Sequence, residues 1–282
     1  MFAADPIDVD ALKRSSCLVH FEHVEQTPST QDLARSYASI VTSPLPAAFV
    51  ADFQTHGRGR RGASWWQSPG SLAVSLVFEA QPALSGKAEP IWSLVAGVAV
   101  AEALKMLLPS VPVALQWPND LVVHGRKLGG ILVDCVTGGR LIFGIGINTH
   151  GTVCSAPHLL AQRVVTIPDL CGAPLARGLL IKTIATRLES LLLASSDAPQ
   201  IILERYRPLC ALEGTRVRVY QDNALLDGLC CGIDSSGSLL LETSTGRIAV
   251  RSGSLTNPFD VWHDPSTDSP DASGPQTCVL RE

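Results

Sequence analysis

Ten residues, Phe53 to Gly62, constrain the fold most: Phe-Gln-Thr-His-Gly-Arg-Gly-Arg-Arg-Gly. Gly57, Gly59 and Gly62 stand at the Gly-x-Gly-x-x-Gly spacing of dinucleotide-binding loops, with Glu79 at about the distance of a ribose-binding acid. That fingerprint must open a helix. Here Ala63-Ser64-Trp65-Trp66 leads through Ser68-Pro69-Gly70 into an apolar strand-like run, which excludes the doubly wound nucleotide fold. What remains is Arg58, Arg60 and Arg61 set among glycines on a loop between strands. Glycine lets backbone N–H groups approach an anion, and arginine adds planar donors that stay charged. Such a loop suits a polyanion, or is a solvated basic turn. Repulsion among its arginines predicts mobility until an anion neutralises it.

The rest of the chain reads as α+β. Strand-like segments are Cys17 to Glu25, Ala47 to Asp52 and Ser71 to Phe78, with helix chemistry from Ser29 to Ser39 between the first two. Ser29 and Asp32 have capping-box spacing, and Leu33, Tyr37 and Ile40 recur on one face. Ile91 to Leu108 is apolar enough to suggest a membrane span, but Ser93, Glu102 and Lys105 interrupt it, predicting a mostly buried amphipathic helix. A hairpin follows: Val113 to Gln116, a turn at Pro118-Asn119-Asp120, Leu121 to Val123, then Lys127 to Cys135. Leu141 to Ile147 is a further strand and Leu175 to Leu193 a second long helix. The pattern is a mixed sheet backed by helices.

Composition shifts after Pro208. Short alternating segments at Thr215 to Tyr220, Ala224 to Ile233, Ser238 to Glu242 and Arg247 to Arg251 predict a small β-barrel. The expected division is 1–208, 209–262, and a Pro-, Ser- and Asp-rich tail, 263–282, expected to be disordered. With 22 basic and 26 acidic residues the net charge is -4, against broad nucleic-acid binding. No basic-then-apolar leader opens the chain, and the eight cysteines form no Cys-x-x-Cys pair, so reduced thiols and a cytoplasmic, non-membrane setting are expected. The seven histidines lack ligand spacing, so no protein-held metal site is expected.

Three further segments carry chemistry. Trp117-Pro118-Asn119-Asp120 presents polar side chains on a rigid turn, and Lys127 follows before Gly129-Gly130. Lys127 is either an exposed strand-end lysine or a cation aimed at a bound carboxylate or phosphate. Gly144-Ile145-Gly146-Ile147-Asn148 ends a strand with small residues and an amide. Ser29-Thr30-Gln31 is explained by helix capping alone or by ligand contact.

Taken in this order, these segments resemble the catalytic core of the biotin protein ligase family. The resemblance covers roughly Val24 to Asn148, and the trailing barrel fits that family's SH3-like C-terminal domain. It implies formation of biotinyl-5′-adenylate from biotin and ATP with Mg²⁺, then transfer of biotin to one lysine of a biotin carboxyl carrier protein domain. By resemblance, Ser29, Thr30, Gln31 and Gln54 hold the biotin ring. Arg58, Gly59 and Arg60 close over its carboxylate and the α-phosphate, and Lys127 meets the reacting carboxylate. The ATP contacts implied are Gly57, Arg58, Arg60, Arg61, Trp65, Asn119 and Asn148. Arg58, Lys127 and Asp120 are the expected catalytic groups, with Asp120 orienting or deprotonating the attacking lysine. Gln31 stands where asparagine is usual, His56 where a small residue is usual, and Gln116 where lysine is common. No winged-helix segment precedes Cys17, so no DNA binding is expected; a homodimer through a sheet edge is compatible. A lipoate or octanoate ligase or transferase of the same fold, or a biotin or nucleotide sensor without catalysis, are the alternatives.

Overall fold

The computed structural model describes residues 5–80, 89–136, 138–198, 200–222 and 224–256; the tail expected at 263–282 lies outside them. The elements in chain order are α1 (Val9–Ser15), β1 (His20–Thr27), α2 (Thr30–Ala38), β2 (Ala47–Gln54), β3 (Leu72–Glu79) and α3 (Glu89–Leu107). The hairpin region comprises β4 (Ala114–Gln116), β5 (Asp120–Val123), β6 (Arg126–Val136) and β7 (Arg140–Ile147). Then come α4 (His158–Ala161), α5 (Ile167–Cys171), α6 (Arg177–Asp197) and α7 (Ile201–Tyr206). The chain continues through β8 (Arg216–Gln221), β9 (Ala224–Ile233), β10 (Leu239–Thr243), β11 (Gly246–Val250) and β12 (Ser254–Leu255).

One mixed sheet has the order β1-β2-β3-β7-β6-β5-β4, with only β1 and β2 parallel. Alternation along its strands gives it two unlike faces. On one face Ala48, Val50, Val74, Leu76, Phe143, Ile145, Ile131 and Val133 join the main core with residues of α3 and α6. The other face is covered only at one end, where Ala34 and Ala38 of α2 pack on Ala47, Phe49, Val77 and Ile142. Beyond α2 that face runs on as Ala73, Ser75, Gly144, Gly146 and Gly130, which the strand register places side by side. A short helix over a longer sheet therefore leaves an uncovered shelf of small residues.

Helix α3 is the predicted long, mostly buried helix: Val95, Val98, Ala99 and Ala103 are fully enclosed, and its exposed positions among the described residues lie in the last turns, at Lys105 and Met106, with Glu102 half-buried. By length and hydropathy Pro90–Leu107 could cross a membrane, but 72% of it is buried within this protein. Glu102, one of its two interior charges, is paired with Arg205 of α7 at 3.0 Å. Helix α1, and β1 beginning at His20 rather than Cys17, are the clearest departures from the sequence reading. At the capping box, the Ser29 hydroxyl accepts from Gln31 N, while the Asp32 carboxylate faces Arg58 instead of reaching back to the cap.

The C-terminal segment forms an antiparallel sheet of order β11-β10-β9-β8-β12. Val217, Val219, Cys230, Leu239, Leu241 and Val250 merge into the main core. Its β9–β10 turn meets the β4–β5 turn directly: buried Trp117 donates through Nε1 to Gly237 O at 3.0 Å. A side chain at Gly237 would lie 2.7 Å from Ile91 N, and its φ is +84°, so both space and backbone demand glycine there.

Candidate active site

The uncovered shelf is the floor of a cleft of about 510 Å³. Its floor is almost bare backbone. A Cβ at Gly144 would sit 2.5 Å from Gln31 Oε1, and one at Gly146 would sit 2.6 Å from the Trp65 indole. Gly130 leaves space for the Lys127 ammonium, 3.3 Å from where its Cβ would be. These three glycines, on neighbouring strands β6 and β7, let one amide, one indole and one cation lie close over the sheet.

The end nearest α2 is a closed polar network. Thr30 N donates to Gln54 Oε1 at 2.9 Å, the Thr30 and Ser75 hydroxyls are 2.9 Å apart, and Ser75 Oγ donates to Gln31 Oε1 at 2.8 Å. With the Ser75 proton on Gln31, Thr30 is the donor of its pair with Ser75, and the same hydroxyl proton is shared with Gln54 Oε1 at 3.3 Å. Gln31 Nε2 then donates to Asp134 Oδ2 at 3.0 Å, and Arg35 closes the run on the same oxygen at 2.6 Å. Gln31 thus lines the cleft with both ends of its amide engaged in this network. Ser29 spends a lone pair on Gln31 N and keeps its O–H; Gln54 spends its oxygen and keeps Nε2. Ser75 went unnoticed in the sequence. The available signal was a single hydroxyl inside Leu72-Ala73-Val74-Ser75-Leu76-Val77.

The opposite wall is the arginine loop. Arg58 bridges to Ser64 in antiparallel fashion, Gly59 N donates to Ala63 O at 2.6 Å, and Trp65 N donates to Gly57 O at 2.9 Å. The loop is therefore a small hairpin with internal bonds, and the peptide N–H groups of Gly59 and Trp65 are already used. That takes Gly59 N out of the set of loop N–H groups open to an anion; Arg58, Arg60 and Arg61 all line the cleft. Among the three loop glycines only Gly62 has positive φ (+78°), and Arg61 shares it at 57°. Gly57 does not line the cleft. It packs behind, where a Cβ would meet Gln54 Nε2 at 3.1 Å and Trp65 at 3.4 Å. Arg58 is ion-paired with Asp32, and that hydrogen bond raises the guanidinium pKa further above its ordinary value despite partial burial.

At the far end, Lys127 Nζ lies 2.6 Å from Asp120 Oδ1 and 5.9 Å from the centre of the Trp65 ring. Both of its neighbouring backbone groups are pinned, Lys127 N to Arg163 O at 2.8 Å and Lys127 O by Val165 N at 2.9 Å. Asp120, expected to act on an incoming amine, is here the counter-ion of Lys127. Asn119 lines the cleft but commits Nδ2 to Ile131 O at 2.7 Å, tying the turn to β6. Asn148 lies outside the lining. It is 1% exposed, and Nδ2 donates to Val165 O at 3.0 Å while its Oδ1 has no partner among the described residues. Gln116 and Trp117 add to this wall, and Gly253, Ser254 and Leu255 reach it from the C-terminal sheet, a contribution that no local pattern in the sequence announces.

Residues 23–151 match the profile of the biotin/lipoate A/B protein ligase family. The chain is 30% identical over 210 residues to the biotin--[acetyl-CoA-carboxylase] ligase of Paracoccus denitrificans, covering 71% of this chain and 86% of that one. It is 33% identical over 219 residues to the bifunctional ligase/repressor BirA of Salmonella typhimurium, covering 73% and 67%. In three dimensions it superposes on the biotin protein ligase of Aquifex aeolicus, solved in complex with biotin and ATP, with a TM-score of 0.74 at 24% identity, over 84% of this chain and 97% of that one. The shared fold is that of the ligase core, and with the identity extending over most of both sequences, the chain belongs to the biotin protein ligase family.

Proposed function

We propose that this chain ligates biotin to protein in two steps within the one cleft. The observation that carries the reading is the cleft's division: the uncharged hydroxyls and amides of Ser29, Thr30, Gln31, Gln54 and Ser75 line one end, backed by the Asp134–Arg35 ion pair outside the lining, and a cluster of arginines with Lys127 lines the other. A neutral bicyclic ring with a carboxylate tail matches the first end and then the second. Ser29 O–H and Gln54 Nε2 are the free donors for the ring's carbonyl oxygen, with Thr30 held beside them.

In the first step a biotin carboxylate oxygen attacks the α-phosphorus of ATP. A C–O–P bond forms, the bond to the bridging oxygen breaks, and pyrophosphate leaves with its electron pair. Two like charges about 4 Å apart cost roughly 4 kcal/mol at an effective dielectric near 20. Arg58, Arg60 and Lys127 offset that repulsion and stabilise charge growing on the phosphate oxygens. No protein nucleophile is required. Arrival of the carboxylate competes with Asp120 for Lys127 and with Asp32 for Arg58, so binding releases two carboxylates. In the second step a carrier lysine amine attacks the mixed anhydride carbonyl, AMP leaves, and freed Asp120 is placed to orient the amine and take its proton. Trp65 covers the shelf and excludes water from the anhydride. Among the described residues no group of three His, Cys, Asp or Glu is placed to hold a metal, so Mg²⁺ is proposed to enter as part of the substrate MgATP. The acceptor proposed is a biotin carboxyl carrier protein domain.

The test is exchange of labelled pyrophosphate into ATP. Biotin-dependent exchange is expected. Exchange with lipoate or octanoate but not biotin would replace the substrate, and biotin binding without exchange would remove the catalytic reading.

A further inference from the structure

Gln67 lies beyond the arginine loop and outside the cleft lining, yet both N–H groups and the oxygen of its amide are used. Strand β2 pairs with β3 only from Ala47 to Val50; past that point the two diverge, and the inner edge of β2 loses its ladder. The Gln67 side chain fills this gap. Its Oε1 accepts from Gln54 N at 3.1 Å, and its Nε2 donates to Asp52 O at 3.0 Å. An acceptor for residue i+1 and a donor for residue i−1 reproduce, with one side-chain amide, the two bonds that the N–H and C=O of a single residue make in a parallel neighbour. The second Nε2 hydrogen reaches Ser71 O at 3.3 Å, just before β3.

The consequence runs to the cleft through Gln54, the last residue of β2. Its Oε1 is held by Thr30 N at 2.9 Å, and its Nε2 lies against Gly57, at the root of the arginine loop. Fixing the Gln54 backbone therefore fixes which way the one uncommitted amide nitrogen at that end of the cleft points. We propose that Gln67 is a positioning residue for ring recognition: its amide stands in for a missing strand and aims Gln54 Nε2 at the ligand. This rests on the reading of Gln54 as a biotin contact. Only an amide satisfies all three backbone groups at once. Alanine leaves one N–H and two C=O groups without partners, and glutamate sets carboxylate oxygens against two carbonyls.

The test is a double-mutant cycle on binding, using the full chain, with biotin and ATP titrated separately and thermal unfolding followed in parallel. Gln67→Ala is expected to weaken biotin binding about tenfold while leaving the KM for ATP within about twofold, and Gln67→Glu to behave alike. In a Gln54→Ala background, Gln67→Ala is expected to weaken biotin less than about twofold further. If it weakens biotin just as much without the Gln54 side chain, or if it only lowers the unfolding midpoint and active fraction at unchanged KM, Gln67 is a structural residue and the inference is wrong. If Gln54→Ala itself leaves biotin binding unchanged, the reading of Gln54 fails first and the inference falls with it. Should Gln67→Ala not fold, Gln67→Asn, which keeps the amide one methylene short, is read by the same criteria.

Discussion

The two ends of the cleft are built on opposite plans. At the α2 end Thr30, Ser75, Gln31, Asp134 and Arg35 satisfy one another in a continuous run anchored on sheet strands. At the loop end, Arg58 is ion-paired with Asp32 and Lys127 with Asp120, with the Trp65 ring beside the ammonium. A buried polar network is stable when every member is satisfied, and it then holds one geometry. Half-exposed ion pairs contribute little, on the order of 0–1 kcal/mol, and exchange partners readily. The contrast suits a ligand with a neutral ring and a charged tail: the ring needs fixed donors, whereas the charges need cations that can leave one carboxylate for another.

Removing a cation is the most damaging change. Lys127→Ala is expected to lower the rate of adenylate formation by about 10²–10³-fold, as for loss of one group that stabilises transition-state charge, with biotin affinity changed far less. Pre-steady-state measurement of the adenylate separates the two. Disturbing the fixed end should do the reverse. Gly144→Ala puts a methyl group where Gln31 Oε1 now lies, and about a tenfold loss of biotin affinity with near-normal ATP binding is expected by calorimetry. Equal losses for both substrates would erase the distinction between the ends.

Asp32→Asn tests the exchange of partners. It removes the Arg58 counter-ion without touching the floor, so protease cutting near Arg61 in the absence of ligands should rise a few-fold, roughly as expected for a surface ion pair. Added biotin and ATP should abolish the difference. The smallest effect is one of pH. His150 follows β7, hydrogen-bonds Thr149 and lies 3.8 Å from Asp5. Burial pushes its pKa below the ordinary 6.5, with the nearby Arg177 charge acting the same way and Asp5 opposing. A depressed folded-state value means that stability is fully present above about pH 6.5 and is lost as pH falls toward the folded value. Urea midpoints at about pH 7.5 and 5.5 should therefore differ more in the wild type than in His150→Gln.

What was legible in the sequence follows the same division. The arginine loop, the Trp117–Asp120 turn and Lys127 announce themselves because charge and rigidity are local properties. The strands from β2 to β7 were readable from alternation and apolar runs. The polar network was not, since Ser75 and Asp134 become partners of Gln31 only through strand register over a separation of 44 and 103 residues. Capping chemistry pointed Asp32 at its own helix, and a long-range cation claimed it instead. Resemblance put Asn148 at the nucleotide, while the fold buries it outside the cleft lining and leaves its Oδ1 without a partner among the described residues. The approach of Gly253 to Leu255 depends on how the C-terminal sheet docks, through Trp117 and Gly237, which no segment encodes alone.

Hydrogen exchange followed by mass spectrometry, before and after adding biotin and MgATP, reports on both ends of the cleft at once. Protection across Gly57 to Trp65 should rise at least about tenfold while the amides of β3 and β7 stay as slow as before. Unchanged exchange in the loop, or a floor that becomes protected only with ligand, would contradict a fixed ring site served by cations that move.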